Sequence, residues 1–445
     1  MNNSIEKAAD NEALRMKTVW WILCLATVGL IFDGYDLVVY GAVVSTFLRD
    51  ASHIGTVTPP IAGALGSYAL FGVAVGALLA GSVGDIIGRR KVILTSYAWF
   101  SIGMALTATS TNAQFFGWMR FMTGLGIGAL VATTAALVAE YAPQDKKNLF
   151  IAICNGGIPL GSMLSALLAM MLMEHIGWRG MFWIGTLPIV TLLPLAYFKM
   201  PESVTWLAAR GRIEEAQELA NRIGIQLPKS HQTPTEADQT PHNAHRSGFA
   251  GLFSAYYFLP TVILGCMSAT GLLLVYSLNT WLPELMLRAG YNTKGSLAFL
   301  AVLNGGSLFG ALAASRIADR LGPKPVVATS FATGALALVL LTFNFPLAVL
   351  LGVVAIVGLG TSGTQTLIYG FVANYYRTNV RASGVAWCAG FGRLGGIGGP
   401  MLGSFLITSG LPLDSIFHIL AGIAVFGVLL TLLVPLARSA FKITK

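Results

Sequence analysis

Gly76–Asp85 reads GALLAGSVGD, and Gly310–Asp319 reads GALAASRIAD, nearly the same words 234 residues later. The same offset carries Gly88 onto Gly322, Gly124-Leu125-Gly126 onto Gly358-Leu359-Gly360, and Tyr141 onto Tyr375. It also carries Cys154 onto Cys388, Gly156 onto Gly390, and Leu160-Gly161 onto Leu394-Gly395. One offset holding from the second to the fifth apolar segment of each half marks a six-plus-six duplication. Repeats of this kind build transporters whose halves rock about a site at the membrane midplane.

Composition supports a membrane class. Of 445 residues, 55% are hydrophobic and 11% charged, and mean hydropathy is +0.70. Soluble domains carry about 25% charged residues. Twelve continuous apolar stretches begin near Val19, Ile61, Val92, Phe115, Leu149, Met181, Tyr256, Gly295, Val326, Leu347, Gly384 and Leu413. They do not alternate as barrel strands would, so they predict helices. The expected fold is all-α and integral to the membrane, with 12 transmembrane helices in two pseudo-symmetric six-helix bundles. The expected divisions are a tail over 1–17, a bundle over 18–199, a linker over 200–254, a second bundle over 255–437 and a tail over 438–445. The leading tail is polar and carries no signal-peptide pattern. The linker opens with PESVTWLAARGRIEEAQELANRIG, read as a short amphipathic helix pair, and continues as a polar, Pro-bearing segment.

Charge orients the chain. With both termini inside, cytoplasmic segments hold 22 of the 28 Lys and Arg; four lie on the other side and two within spans. The positive-inside rule then places both termini in the cytoplasm and the protein in the inner (plasma) membrane. This distribution accounts for the net charge of +9, and no single basic face invites nucleic acid. The four cysteines fall in spans without metal-like spacing, and His231, His242 and His245 read as solvated linker. No cofactor or metal is expected, and no nucleophile–base pairing points to an enzyme. A monomer is the expected state.

Chemistry concentrates in the first span. LIFDGYDLVVYG, Leu30–Gly41, puts Asp33 and Asp36 mid-span on neighbouring positions of one helix face. Carboxylates there cost several kcal/mol, roughly, unless they face a partner or a water-filled cavity, so they mark a protonatable transport site. Small-residue ladders such as Gly72, Gly76, Ala80 and Gly84, or Gly395, Gly399 and Gly403, predict close helix contacts.

GDIIGRRK (Gly84–Lys91), its altered copy ADRLGPK (Ala318–Lys324) and RFMTGLGIG (Arg120–Gly128) resemble signature segments of the major facilitator superfamily. DGYD together with GFGRLGGIGGP (Gly390–Pro400) resembles the aromatic acid:H+ symporters, and DGYDLVVYG is most similar to their benzoate-type branch. The resemblance covers nearly the whole chain. It implies that Asp33 and Asp36 are the acidic motif, and that Asp85, Arg89, Arg90 and Asp319 belong to the cytoplasmic loops. It also implies that Arg381 and Arg393 are the basic positions flanking the eleventh span. Pro323 replaces a basic residue of the second loop and leaves Lys324 opposite Arg90, so the resemblance does not imply that both loops latch equally.

The duplication sorts these residues. Arg393 falls on Pro159 and Arg120 on Val354; for the first span, matching Tyr40 to Tyr276 needs a shift of 236, and the acids then meet uncharged partners. Asp85 and Asp319 recur in both halves. We therefore expect Asp33, Asp36, Arg120 and Arg393 to carry the chemistry, and Asp85, Arg89, Arg90, Asp319, Lys324 and Arg381 to gate. Glu140 and Glu284, near span ends, fit interfacial or gating roles. Tyr35 and Asn155 are further candidates for substrate contact. An arginine would hold the substrate carboxylate bidentately. A buried aspartate would take the proton, because burial penalises its charged form once the arginine is engaged elsewhere. The expected substrate is benzoate or a hydroxybenzoate, imported with protons. Muconate or shikimate symport and a non-transporting receptor or scaffold are the alternatives.

Overall fold

A computed structural model describes residues 2–143, 146–223 and 248–435. His231, His242, His245, most of the polar linker and the expected tail over 438–445 lie outside the described residues.

The chain is all-α. In the first half, α1 (Asn2–Arg49) continues unbroken from the polar tail into the first apolar segment. It is followed by α2 (Pro59–Ile87), α3 (Arg89–Ala108) and α4 (Ala113–Tyr141). Next come α5 (Lys147–Asn155), α6 (Gly157–Ile184) and α7 (Leu192–Lys199). The segment PESVTWLAARGRIEEAQELANRIG forms two short helices, α8 (Val204–Ala209) and α9 (Ile213–Ile223). Ala216, Ala220 and Ile223 give α9 a buried apolar face, opposite its Glu-rich one. After α10 (Gly248–Leu252), the second half comprises α11 (Phe258–Arg288), α12 (Thr293–Leu321) and α13 (Pro323–Leu340). It ends with α14 (Leu347–Gly358), α15 (Thr364–Tyr375), α16 (Thr378–Thr408) and α17 (Leu413–Leu433).

Nine helical segments among the described residues are long and apolar enough to cross a membrane. Three of the expected stretches are not among them, each for a visible reason. Helix α3 opens on Arg89-Arg90-Lys91 and carries several hydroxyl residues. Helix α16 is 31 residues long but rich in glycine and interrupted by Arg393. The sixth stretch is broken by the 3-10 turn Leu187–Ile189, which contains Pro188, and continues as the short α7 with Pro194. The fifth and sixth stretches meet at Gly177, whose φ of 63° is a left-handed conformation open to glycine and strained for other residues.

Backbones touch where the glycine ladders predict. A Cβ at Gly72 would strike the Phe121 carbonyl and one at Gly124 the Ala69 carbonyl, so α2 and α4 lie in direct contact. Gly306 and Gly358 do the same for α12 and α14. Such contacts associate helices by van der Waals packing where lipid supplies no hydrophobic drive.

Candidate functional site

The acidic motif sits where α1 is pressed against α6. A Cβ at Gly34 would collide with the Ile158 carbonyl, and one at Gly161 with the Ile31 carbonyl. Ser162 donates to the Gly34 carbonyl at 3.2 Å, and the Tyr35 hydroxyl donates to the Met181 carbonyl at 2.7 Å. The glycine inside DGYD is therefore a packing requirement, and its two flanking acids are held by a fixed backbone.

The two acids face different halves of the molecule. Asp36 is 0% exposed and forms an ion pair with Arg120 of α4, itself 1% exposed. A second Arg120 nitrogen donates to the Asp36 carbonyl at 3.3 Å. The guanidinium also lies over the Tyr40 ring at 5.6 Å and the Phe182 ring at 5.8 Å. Arg120 thus points into the bundle and does not reach for the interface. Asp33, 4% exposed, makes no ion pair among the described residues. It faces Arg393 of α16, across the boundary between halves, close enough for the two charges to interact. Arg393 is half-buried and lies near enough to Tyr276, Tyr369 and Asp33 for their charges and dipoles to interact.

The other substrate candidates are placed differently. Tyr35 is buried with its hydroxyl committed to Met181. Asn155 is exposed at the joint between α5 and α6. In the sequence Tyr276 serves only to set the register of the repeat; its place beside Arg393 depends on how α11 meets α16, which residue spacing does not report.

Close contacts between the halves gather at the far end of the bundle, where α1 finishes and α2 begins. There a Cβ at Gly41 would strike the Asn279 carbonyl, and Gly63 and Gly66 lie against Ser404 and Pro400. Pro400 cannot donate to its own helix, and nearby carbonyls of α16 take outside donors. Ser67 donates to Ile397 at 2.7 Å, and the Trp281 indole donates to the Pro400 carbonyl at 2.8 Å. Buried Glu284 accepts from Arg49 of the other half at 3.3 Å and from Arg288 at 2.9 Å. Lys294 pairs with Glu174 at 2.9 Å, also between halves.

At the opposite end, the linker helices are tied to the loop between α2 and α3. Arg89 and Ser203 both donate to one oxygen of Glu140, at 2.7 and 2.6 Å, and the Thr205 amide donates to the other at 2.9 Å. Glu202 accepts from the Arg90 amide at 3.0 Å and the Ser203 amide at 2.9 Å, while the Arg90 side chain donates to the Tyr197 carbonyl. Trp206 and Arg210 donate to the Asp85 backbone carbonyl at 2.9 and 2.7 Å. Glu202 and Arg210 were missed in the sequence; the PESV run immediately after the sixth stretch was the available signal. The second loop is held differently. Lys324 donates to the carbonyls of Leu432 and Val434 at 3.0 and 2.6 Å, Arg381 reaches the Tyr376 carbonyl at 3.4 Å, and Asp319 is exposed. Pro323 thus coincides with a loop that ties to the last helix. Among the described residues no group of His, Cys, Asp and Glu is arranged to hold a metal.

Known proteins resemble this chain along its length. The benzoate transport protein of Acinetobacter baylyi is 33% identical over 93% of this chain and 89% of its own. The gallate transporter of Pseudomonas putida is 32% identical over 93% and 91%. Among solved structures, a partially occluded inward open conformation of the xylose transporter of E. coli superposes with a TM-score of 0.74 at 19% identity, covering 94% of this chain and 98% of that one. The model of the sugar (and other) transporter family matches residues 21–437. The chain belongs to the sugar (and other) transporter family.

Proposed function

We propose that this protein is a proton-coupled symporter that imports an aromatic monocarboxylate, benzoate or a hydroxybenzoate, by alternating access. The observation that carries the proposal is the division of labour in DGYD: Asp36 is neutralised by Arg120 within its own half, while Asp33 faces Arg393 across the halves without an ion pair. Arg393 supplies a permanent cation for the substrate carboxylate. Asp33 carries the proton, because once substrate occupies Arg393 the buried carboxylate loses its compensating charge. Asp36 and Arg120 keep α1 and α4 together as the halves rock. Tyr35 and Asn155 stay as outlying candidates for substrate contact.

The physics of import requires such coupling. A membrane potential negative inside opposes entry of an anion by about 2.3 kcal/mol per 100 mV. A co-transported proton removes that opposition, and the proton gradient still drives accumulation. The names of the aromatic-acid relatives support the substrate class.

In this reading α3, the broken segment from Trp178 to Lys199, and α16 also cross the membrane, giving twelve spans in two bundles over 18–199 and 255–437. Both termini are cytoplasmic, in the inner membrane, and the protein acts as a monomer. The far end is then the outer face, closed by Arg49, Glu284 and Arg288. The linker network of Asp85, Arg89 and Arg90, with Asp319, Lys324 and Arg381 in the second half, governs the inner face.

The test is uptake of radiolabelled benzoate into proteoliposomes with and without an inward proton gradient. Gradient-driven accumulation, competed by hydroxybenzoates and not by muconate, is expected. Accumulation of muconate or shikimate without benzoate would keep the coupling and discard the substrate. No uptake of any acid by folded protein would favour a receptor or scaffold.

A further inference from the structure

Arg393 is flanked by glycines, and Gly392, Gly395, Gly396 and Gly399 each have a neighbour on α11. A Cβ at Gly392 would strike the Ser268 hydroxyl, and one at Gly395 the Ala269 carbonyl. A Cβ at Gly396 would lie 3.0 Å from Cδ2 and Cε2 of Tyr276, and one at Gly399 would lie 3.0 Å from the Tyr276 Cβ. The glycine face of α16 therefore leaves room for the Tyr276 ring to lie along it, one turn beyond Arg393. With its Cβ at Gly399 and its ring edge at Gly396, the side chain runs back along α16 toward Arg393.

Guanidinium nitrogens only donate, so toward Arg393 the Tyr276 oxygen can act only as an acceptor. Its own O–H proton remains as a donor, and among the described residues no acceptor takes it. The ring is half-buried, at the same place where Asp33 comes across from the other half.

We propose that Tyr276 is a substrate-binding residue: its hydroxyl and the Arg393 guanidinium form one cradle that binds the two oxygens of the substrate carboxylate. The cradle selects ionised acids over neutral isosteres of the same ring, because a carboxylate accepts from both donors while an amide presents one acceptor and a mismatched donor. The inference rests on the proposed symport of aromatic acids. It adds a partner for Arg393 and a reason for the glycines after it.

Tyr276→Phe retains the ring against Gly396 and Gly399 and removes only the hydroxyl. It is expected to raise the KM for benzoate uptake by about tenfold, the scale of one hydrogen bond to a charged group, with kcat within about twofold, and to leave weak inhibition by benzamide unchanged. In an Arg393→Lys background the same change should add little, since the two donors act as a unit. Gly396→Ala, which crowds the ring and keeps the hydroxyl, should raise the KM in the same direction; it serves if Tyr276→Phe does not fold. An unchanged KM, a loss confined to kcat, or full additivity with Arg393→Lys would overturn the cradle while wild-type uptake upholds the symport. Wild-type protein that takes up no aromatic acid would overturn both.

Discussion

Asp36 and Arg120 are sealed together inside one half of the molecule, at 0% and 1% exposure. Three residues earlier on the same helix, Asp33 looks into the other half. One turn of α1 thus separates an acid paired within its own half from one that has no ion pair among the described residues. This contrast distinguishes the two acids that the sequence presents as equals.

Breaking the buried pair should cost stability more than turnover chemistry. Arg120→Gln or Asp36→Asn leaves a partner charge or dipole unmatched, an effect on the order of 3–5 kcal/mol for an uncompensated buried charge. Thermal unfolding in detergent should show both singles well below wild type, with the double variant less impaired than Asp36→Asn. Singles as stable as wild type would release the pair from a scaffold role.

Asp33→Asn should behave otherwise. The protein should fold normally and still exchange benzoate across the membrane, but no longer accumulate it when a proton gradient is imposed. Comparing counterflow with gradient-driven uptake in one proteoliposome preparation separates these activities. Retained accumulation would remove Asp33 from the proton path.

Releasing the far-end clasp should shift the conformational equilibrium. Glu284→Gln weakens its bonds to Arg49 and Arg288, one of which spans the halves. A cysteine placed at Ser67, where α2 meets Ile397 of α16, should then react several-fold faster with an impermeant maleimide added outside. Exposed pairs such as Lys294–Glu174 should matter less, since surface ion pairs contribute about 0–1 kcal/mol.

The linker network predicts an order among the residues proposed to gate. Glu140 accepts from Arg89, Ser203 and Thr205, whereas at Asp85 it is the backbone carbonyl that is held. Glu140→Gln should therefore slow turnover more than Asp85→Asn, with equilibrium binding of benzoate little changed in both. Stopped-flow uptake alongside calorimetric binding would decide this.

Glycines should divide sharply. Gly34→Ala drives a methyl into the Ile158 carbonyl and should abolish transport and lower expression. Gly81 has open space around its missing Cβ, so Gly81→Ala should be neutral or stabilising by roughly 0.5–1 kcal/mol. Expression and uptake of the two variants together test whether the α1–α6 contact is as tight as described.

By itself the sequence determined the membrane class, the duplication, the acidic motif in the first apolar segment and the two arginines set within apolar stretches. Those properties are written locally: hydropathy belongs to a run of residues, a repeat to an offset, and a charge in an apolar span is conspicuous wherever it falls. Only the tertiary structure decided which arginine serves which aspartate, that Tyr276 stands beside Arg393, and that Glu284 ties Arg49 to the other half. Each of these depends on the rotation and depth of one helix against another. Glycine ladders signal that such contacts exist, but the spacing along one helix carries no record of the height at which its partner crosses.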